Sequence, residues 1–121
     1  MSHSPAFLGL IDSVRSAVRD VSVQQTRDWL QDNSSLHLVD VREDSEWAAG
    51  HVAGAVHIGK GVIERDIEAK IPDKNAEVIL YCGGGFRSVL AADALQKMGY
   101  TNVASMAGGW REWKAAGAPI E

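Results

Sequence analysis

The chain has 121 residues, 45% apolar and 23% charged, which makes it a single domain with a proper core and not a disordered segment. Its net charge of −4 argues against nucleic acid as a general partner, because phosphate binding needs a basic face. One cysteine and no long apolar run exclude an internal disulfide framework, a multi-cysteine zinc site and a membrane span. The start, Met1-Ser2-His3-Ser4-Pro5, lacks the basic-then-apolar pattern of a secretory signal. The expected setting is therefore a reducing cytoplasm, which would keep the cysteine free.

Residues 6–20 place Phe7, Leu10, Ile11, Val14, Ala17 and Val18 on one stripe, opposite Asp12, Arg15, Ser16 and Arg19. That spacing predicts an amphipathic helix started by Ser4-Pro5, covering its own sheet in preference to serving as a dimer surface. A short strand is predicted over 21–23, then a helix over 24–31 with Trp29 and Leu30 inward, then a loop over 32–35. The next strand runs over 36–41 and puts Asp40 at its C-terminal end, where open parallel sheets hold their sites. A carboxylate there can accept hydrogen bonds from loop groups or pair with Arg42 or Arg87. Residues 44–49 give a short helix closed by Gly50, 56–58 a strand, and 60–70 a charged helix stopped by Pro72. His51 and His57 form no compact ligand set and are read as structural, so no metal is expected.

Val78-Ile79-Leu80 is a short apolar run that reads as a buried strand, and Leu90, Ala91, Ala94, Leu95 and Met98 recur at helical spacing before Gly99. Between them lies Tyr81-Cys82-Gly83-Gly84-Gly85-Phe86-Arg87-Ser88. The lone cysteine thus occupies a strand-to-helix turn whose N–H groups can converge on one point, with the helix N-terminus and Arg87 adding positive charge. Three glycines in a row weaken the flanking elements without improving packing, so the turn is read as a reactive-thiolate site and not as an inert buried cysteine. Residues 103–106 are the last strand. Gly108-Gly109 then turn tightly into a helix whose Trp110 and Trp113 are read as packing anchors. Strands and helices alternate throughout, which predicts a three-layer α/β domain with a mostly parallel sheet of about five strands.

Cys82, four intervening residues and Arg87-Ser88 resemble the active-site loop of the rhodanese family, single-domain sulfurtransferases. Val39-Asp40-Val41-Arg42-Glu43, continuing through Glu46 to Gly50-His51-Val52-Ala53-Gly54-Ala55, resembles that family's first signature. Gly108-Gly109-Trp110, with Trp113, Gly117 and Pro119, resembles its C-terminal one. The resemblance covers residues 21–121 and leaves 1–20 as an N-terminal helical extension. It implies the rhodanese-like version of the α/β fold.

The resemblance further implies that Cys82 takes a sulfane sulfur from thiosulfate or a persulfide donor and holds it as a persulfide. The sulfur then passes to a thiophilic acceptor, whether cyanide, a thiol or a protein cysteine. In this reading Cys82 and Arg87 are catalytic, and the backbone of Gly83, Gly84, Gly85, Phe86 and Ser88 binds the transferred sulfur. Asp40 and Arg42 support the loop, and no cofactor is required. Some thiosulfate-using members carry basic residues directly after the cysteine, where this chain has glycines. Thiosulfate is on that account a candidate weak stand-in for a persulfidic or protein-bound donor. The alternatives are a protein-to-protein sulfur carrier, a cysteine-dependent phosphatase or arsenate reductase, and a non-enzymatic interaction module. Phosphatase loops of the related cell-cycle group carry five intervening residues, and modules without activity often lack the cysteine that this chain retains.

Overall fold

A computed structural model describes residues 3–33 and 35–121. Met1 and Ser2, at the predicted start, and Ser34, in the loop predicted over 32–35, lie outside the described residues. The elements run α1 (Pro5–Arg15), β1 (Arg19–Val21), α2 (Val23–Asp32), β2 (His37–Asp40), α3 (Asp44–Ala49), β3 (Val56–His57), α4 (Ile63–Lys70), β4 (Val78–Tyr81), α5 (Arg87–Lys97), β5 (Val103–Met106) and α6 (Gly109–Ala115). The strands form one sheet in the order β1-β5-β4-β2-β3, every pairing parallel.

The alternation of side chains along β4 sets the three layers. Val78, Leu80 and Cys82 face one core, shared with Ile11 of α1, Ile63 and Ile67 of α4 and Val89 and Leu95 of α5. Ile79 and Tyr81 face the other, with Leu38, Met106 and Trp113 and, at its margin, Trp29 and Leu30 of α2. β4 is buried along its whole length, as a central parallel strand must be. The chain leaves β2 toward β3 on one side and β4 toward β5 on the other. A crevice therefore opens beyond the C-terminal ends of β2 and β4, where Asp40 and Cys82 stand.

The first strand is displaced from its expected place at 21–23. Ser22 is the N-cap of α2, its hydroxyl accepting the Gln25 N–H while the Gln25 side chain accepts the Ser22 N–H. This reciprocal cap draws Val23 into the helix, and β1 takes Arg19–Val21 instead. Consequently α1 ends at Arg15 and does not reach residue 20. It packs on α5 and buries Ile11, with Phe7 and Val14 at the core margin, while Leu8 and Leu10 stay exposed. Pro72 stops α4 at Lys70, as expected, but that helix begins at Ile63, three residues late.

Behind the crevice lies a buried polar cluster. Asp40 and Arg42 are 0% and 3% exposed. The Asp40 carboxylate accepts from the Arg42 backbone N–H at 2.8 Å, from Arg42 Nε and Nη2 at 2.8–3.1 Å, and from the Tyr81 hydroxyl at 2.7 Å. Burial, and then the bond to Asp40, pushes the Tyr81 hydroxyl well above its usual range. It therefore stays a donor to Asp40 and an acceptor for the Val52 N–H at 3.1 Å. Arg42 Nη2 also reaches the Gly50 carbonyl at 2.7 Å, and its guanidinium lies 4.7 Å from the Trp110 ring centre. Breaking one side of such a pair leaves the other charge buried and uncompensated. Asp40→Asn is thus expected to cost roughly 3 kcal/mol of stability, read as a fall in the urea midpoint. An unchanged midpoint would mean that Arg42 finds equivalent partners elsewhere.

Candidate active site

Cys82 follows β4 directly, and its sulfur is the focus of the turn. The backbone N–H groups of Gly85 and Ser88 both donate to Sγ, at 3.2 and 3.4 Å, and the Ser88 hydroxyl lies 3.5 Å away. That hydroxyl is held in turn by Ser105 of β5 at 2.8 Å, both serines being fully buried. Convergence requires Gly85 to adopt φ +96°, a left-handed angle that a side chain resists. The outer side of the loop is anchored to α6. The Cys82 carbonyl accepts from the Trp110 N–H at 2.8 Å and the Gly83 carbonyl from the Arg111 N–H at 3.1 Å. Gly109, at φ +51°, makes this approach possible, since a Cβ there would run into the Cys82 carbonyl. The Gly-Gly before Trp110 is therefore part of the loop's support.

The thiol opens onto a cavity of about 750 Å³ lined by His3, Phe7, Glu46, Cys82, Gly83, Gly84, Phe86, Arg87 and Arg111. Of the predicted loop residues, Gly83, Gly84, Phe86 and Arg87 line this cavity, whereas Gly85 and Ser88 are buried and meet the sulfur through their N–H groups. Asp40 and Arg42 do not line the cavity; they hold each other and Tyr81, one residue before the cysteine. Of the two partners that the sequence offers Asp40, Arg42 takes the place, and Arg87 pairs with Glu46 instead: Nη1 and Nη2 donate to the two Glu46 oxygens at 2.7 and 3.0 Å. Glu46 sits on α3, in the first-signature stretch. The pairing raises the Arg87 pKa and lowers that of Glu46 to about 2, with the bond to the partner the largest cause in each.

A second cation, Arg111 of α6, also lines the cavity and takes part in no ion pair among the described residues. Sequence reading missed it, along with Glu46, Ser105 and the contributions of His3 and Phe7. Among the described residues no three His, Cys, Asp or Glu side chains are placed to share a metal ion, and no helix is long and apolar enough to cross a membrane. His51 stacks on Trp47 at 3.5 Å between ring centres, and His57 lies 2.8 Å from the Arg42 carbonyl through Nε2.

The sequence pattern of the Rhodanese-like domain matches residues 22–116. The chain belongs to the rhodanese-like domain family. It is 32% identical over 98 residues to YrkF of Bacillus subtilis, named as a candidate sulfur carrier protein, covering 81% of this chain and 52% of that one. The chain thus spans about half the length of that relative. The thiosulfate sulfurtransferase PspE of Escherichia coli K12 is 38% identical over 72 residues, 60% of this chain and 69% of PspE. A solved structure from Rhodopseudomonas palustris, of unknown function and described as a possible tyrosine phosphatase, superposes with a TM-score of 0.84 at 26% identity. That match covers 100% of this chain and 98% of the other, so it takes in α1, which precedes the rhodanese-like match.

The Glu46–Arg87 pair makes a pH-dependent contribution with a definite sign. A carboxylate whose pKa falls from 4.5 to about 2 on folding stabilises the folded state above pH 4.5, and that stabilisation is lost as pH falls toward 2. Because Glu46 is 36% exposed, solvent screening limits the effect to about 1 kcal/mol or less. The stability gap between wild type and Glu46→Gln is expected to narrow between pH 5 and pH 2.5 in parallel thermal melts. A gap independent of pH would mean that the carboxylate's charge is not what holds Arg87.

Proposed function

We propose that the protein is a rhodanese-type sulfurtransferase in which Cys82 carries the sulfur as a persulfide. The observation that carries this reading is the pair of N–H groups, Gly85 and Ser88, aimed at the cysteine sulfur on the floor of an open cavity. Such donors favour a negative charge on sulfur, first that of a thiolate and then that of a persulfide, whose outer atom lies about 2 Å further out. The thiolate attacks the outer sulfur of a donor, the donor's S–S bond breaks, and the electron pair leaves with sulfite when the donor is thiosulfate. A nucleophilic acceptor then attacks the outer sulfur of the persulfide. Cyanide would leave as thiocyanate, returning the Cys82 thiolate.

Two roles follow within this reading. Arg87, tied to Glu46, fixes the N-terminus of α5 and lends positive potential to the cysteine. Arg111, without a carboxylate partner among the described residues, is the group that meets the donor's anionic end. The same persulfide would serve in transfer between proteins, a use in keeping with the name of YrkF.

Cys82→Ser is expected to abolish thiosulfate:cyanide transfer while leaving the fold intact. Mass spectrometry of wild type treated with thiosulfate should find one additional sulfur atom on Cys82. Turnover by the variant near the wild-type rate, or hydrolysis of an aryl phosphate by the unmodified protein that Cys82→Ser abolishes, would reject the sulfur-transfer mechanism.

Arg111→Ala tests the placement of charge. It should raise KM for thiosulfate roughly tenfold, as expected for the loss of one charge-assisted contact, with a smaller effect on an uncharged sulfane-sulfur donor. Equal rises for both donors would mean that the Arg111 side chain supports the loop, and an unchanged KM for both would leave Arg111 with its backbone contact to the Gly83 carbonyl alone.

A further inference from the structure

The cavity over Cys82 is much larger than a thiosulfate ion requires and falls in the range of pockets that take whole organic molecules. One side is aromatic, and most of that side comes from outside the stretch that matches the family. The His3 and Phe86 ring centres are 4.6 Å apart, His3 and Phe7 5.1 Å, and Phe7 and Phe86 6.2 Å, all tilted. These spacings are those of favourable aromatic contact. Phe86 immediately precedes α5, whereas Phe7 lies in the first turn of α1 and His3 directly before its N-cap, Ser4.

Their placement is fixed by local structure. Ser4 caps α1 by accepting the Phe7 N–H at 3.1 Å, Pro5 sets the first helical turn, and Ile11 fastens the helix to the core at 1% exposure. The aromatic side therefore stands ready-made, with Arg111 and the Arg87–Glu46 pair also lining the cavity.

We infer that α1 is part of the substrate site and that the preferred donor is an organic anion ending in a sulfane sulfur, with a flat apolar body against His3, Phe7 and Phe86. This inference rests on the sulfur-transfer reading of Cys82 and names the substrate class of that site. An aryl thiosulfonate has the required form. The Cys82 thiolate attacks its terminal sulfur, the S–S bond breaks, and the electron pair leaves on the aryl sulfinate. The persulfide anion that remains is discharged by cyanide as thiocyanate. Charge and atoms balance with no further reactant.

The test compares benzenethiosulfonate with thiosulfate as donors, cyanide being the acceptor in both cases, on the full chain and on its Phe7→Leu and His3→Ala variants. Wild type should have the higher kcat/KM for benzenethiosulfonate. Each variant should lower kcat/KM for that donor at least fivefold more than for thiosulfate, in line with the loss of one aromatic contact. Phe7→Leu keeps most of the apolar volume, and His3 is exposed, so the chain should remain folded; a melt of each variant checks this. A wild type without preference for the aryl donor, or variants that lower both donors equally, would overturn the inference and leave the Cys82 mechanism in place. Absence of Cys82-dependent turnover on either donor would remove both.

Discussion

The residues at the end of β4 are held by two opposed sets of backbone hydrogen bonds, and the rest of the site depends on that opposition. The Cys82 and Gly83 carbonyls point outward to the N–H groups of Trp110 and Arg111, while the N–H groups of Gly85 and Ser88 point inward to the sulfur. A turn pulled in both senses cannot relax toward either without breaking bonds. Two glycines permit it: Gly85 through its left-handed angle, Gly109 through the absence of a side chain at the point of closest approach. Replacing either would open the ring from a different side.

Around that turn the protein separates its charges by depth. Asp40 and Arg42 are buried, bonded to one another and outside the cavity lining, and they tie the end of β2 to Tyr81 and to the Gly50 that ends α3. Glu46 and Arg87 are partly exposed and join α3 to the start of α5 at the cavity wall. Arg111 is exposed and lines the cavity with no carboxylate partner among the described residues. In the proposed mechanism the deepest pair would contribute rigidity, the middle pair alignment and the outermost cation attraction, each in keeping with the solvation it retains.

Much of this was legible in the sequence because it is local. The Cys82–Ser88 stretch announces a strand-to-helix turn through its own glycines, and the apolar alternation flanking it announces a central strand. Gly50 and Pro72 end their helices as their chemistry dictates. The remainder depends on contacts between distant residues, which periodicity does not encode. Glu46 lies in a recognisable signature, yet only the fold brings it to Arg87 from the opposite half of the chain. Arg111 follows a tryptophan read as a packing anchor, and in isolation looks like ordinary helix surface. Trp113 is such an anchor at 2% exposure, with its ring N–H on the Pro119 carbonyl. Trp110 is only half-buried and lies between Arg42 and Lys114. The first strand is displaced because Ser22 and Gln25, a strand and a helix residue by periodicity alone, together form a cap.

The order of the sheet carries a consequence for how the molecule assembles. Among the described residues β1 pairs only with β5, so during synthesis the first strand has no neighbour to bond until the other four strands have been made. Contacts between such distant segments are slow to form, because a long loop must close before they return any stabilisation. Nor can α1 finish its docking early, since the α5 surface it lies on is also late. The reactive loop needs β4, α5 and α6, while the aromatic side of its cavity needs the opening residues as well. In a nascent chain the α5 seat for α1 is therefore made before α6 can anchor the reactive loop.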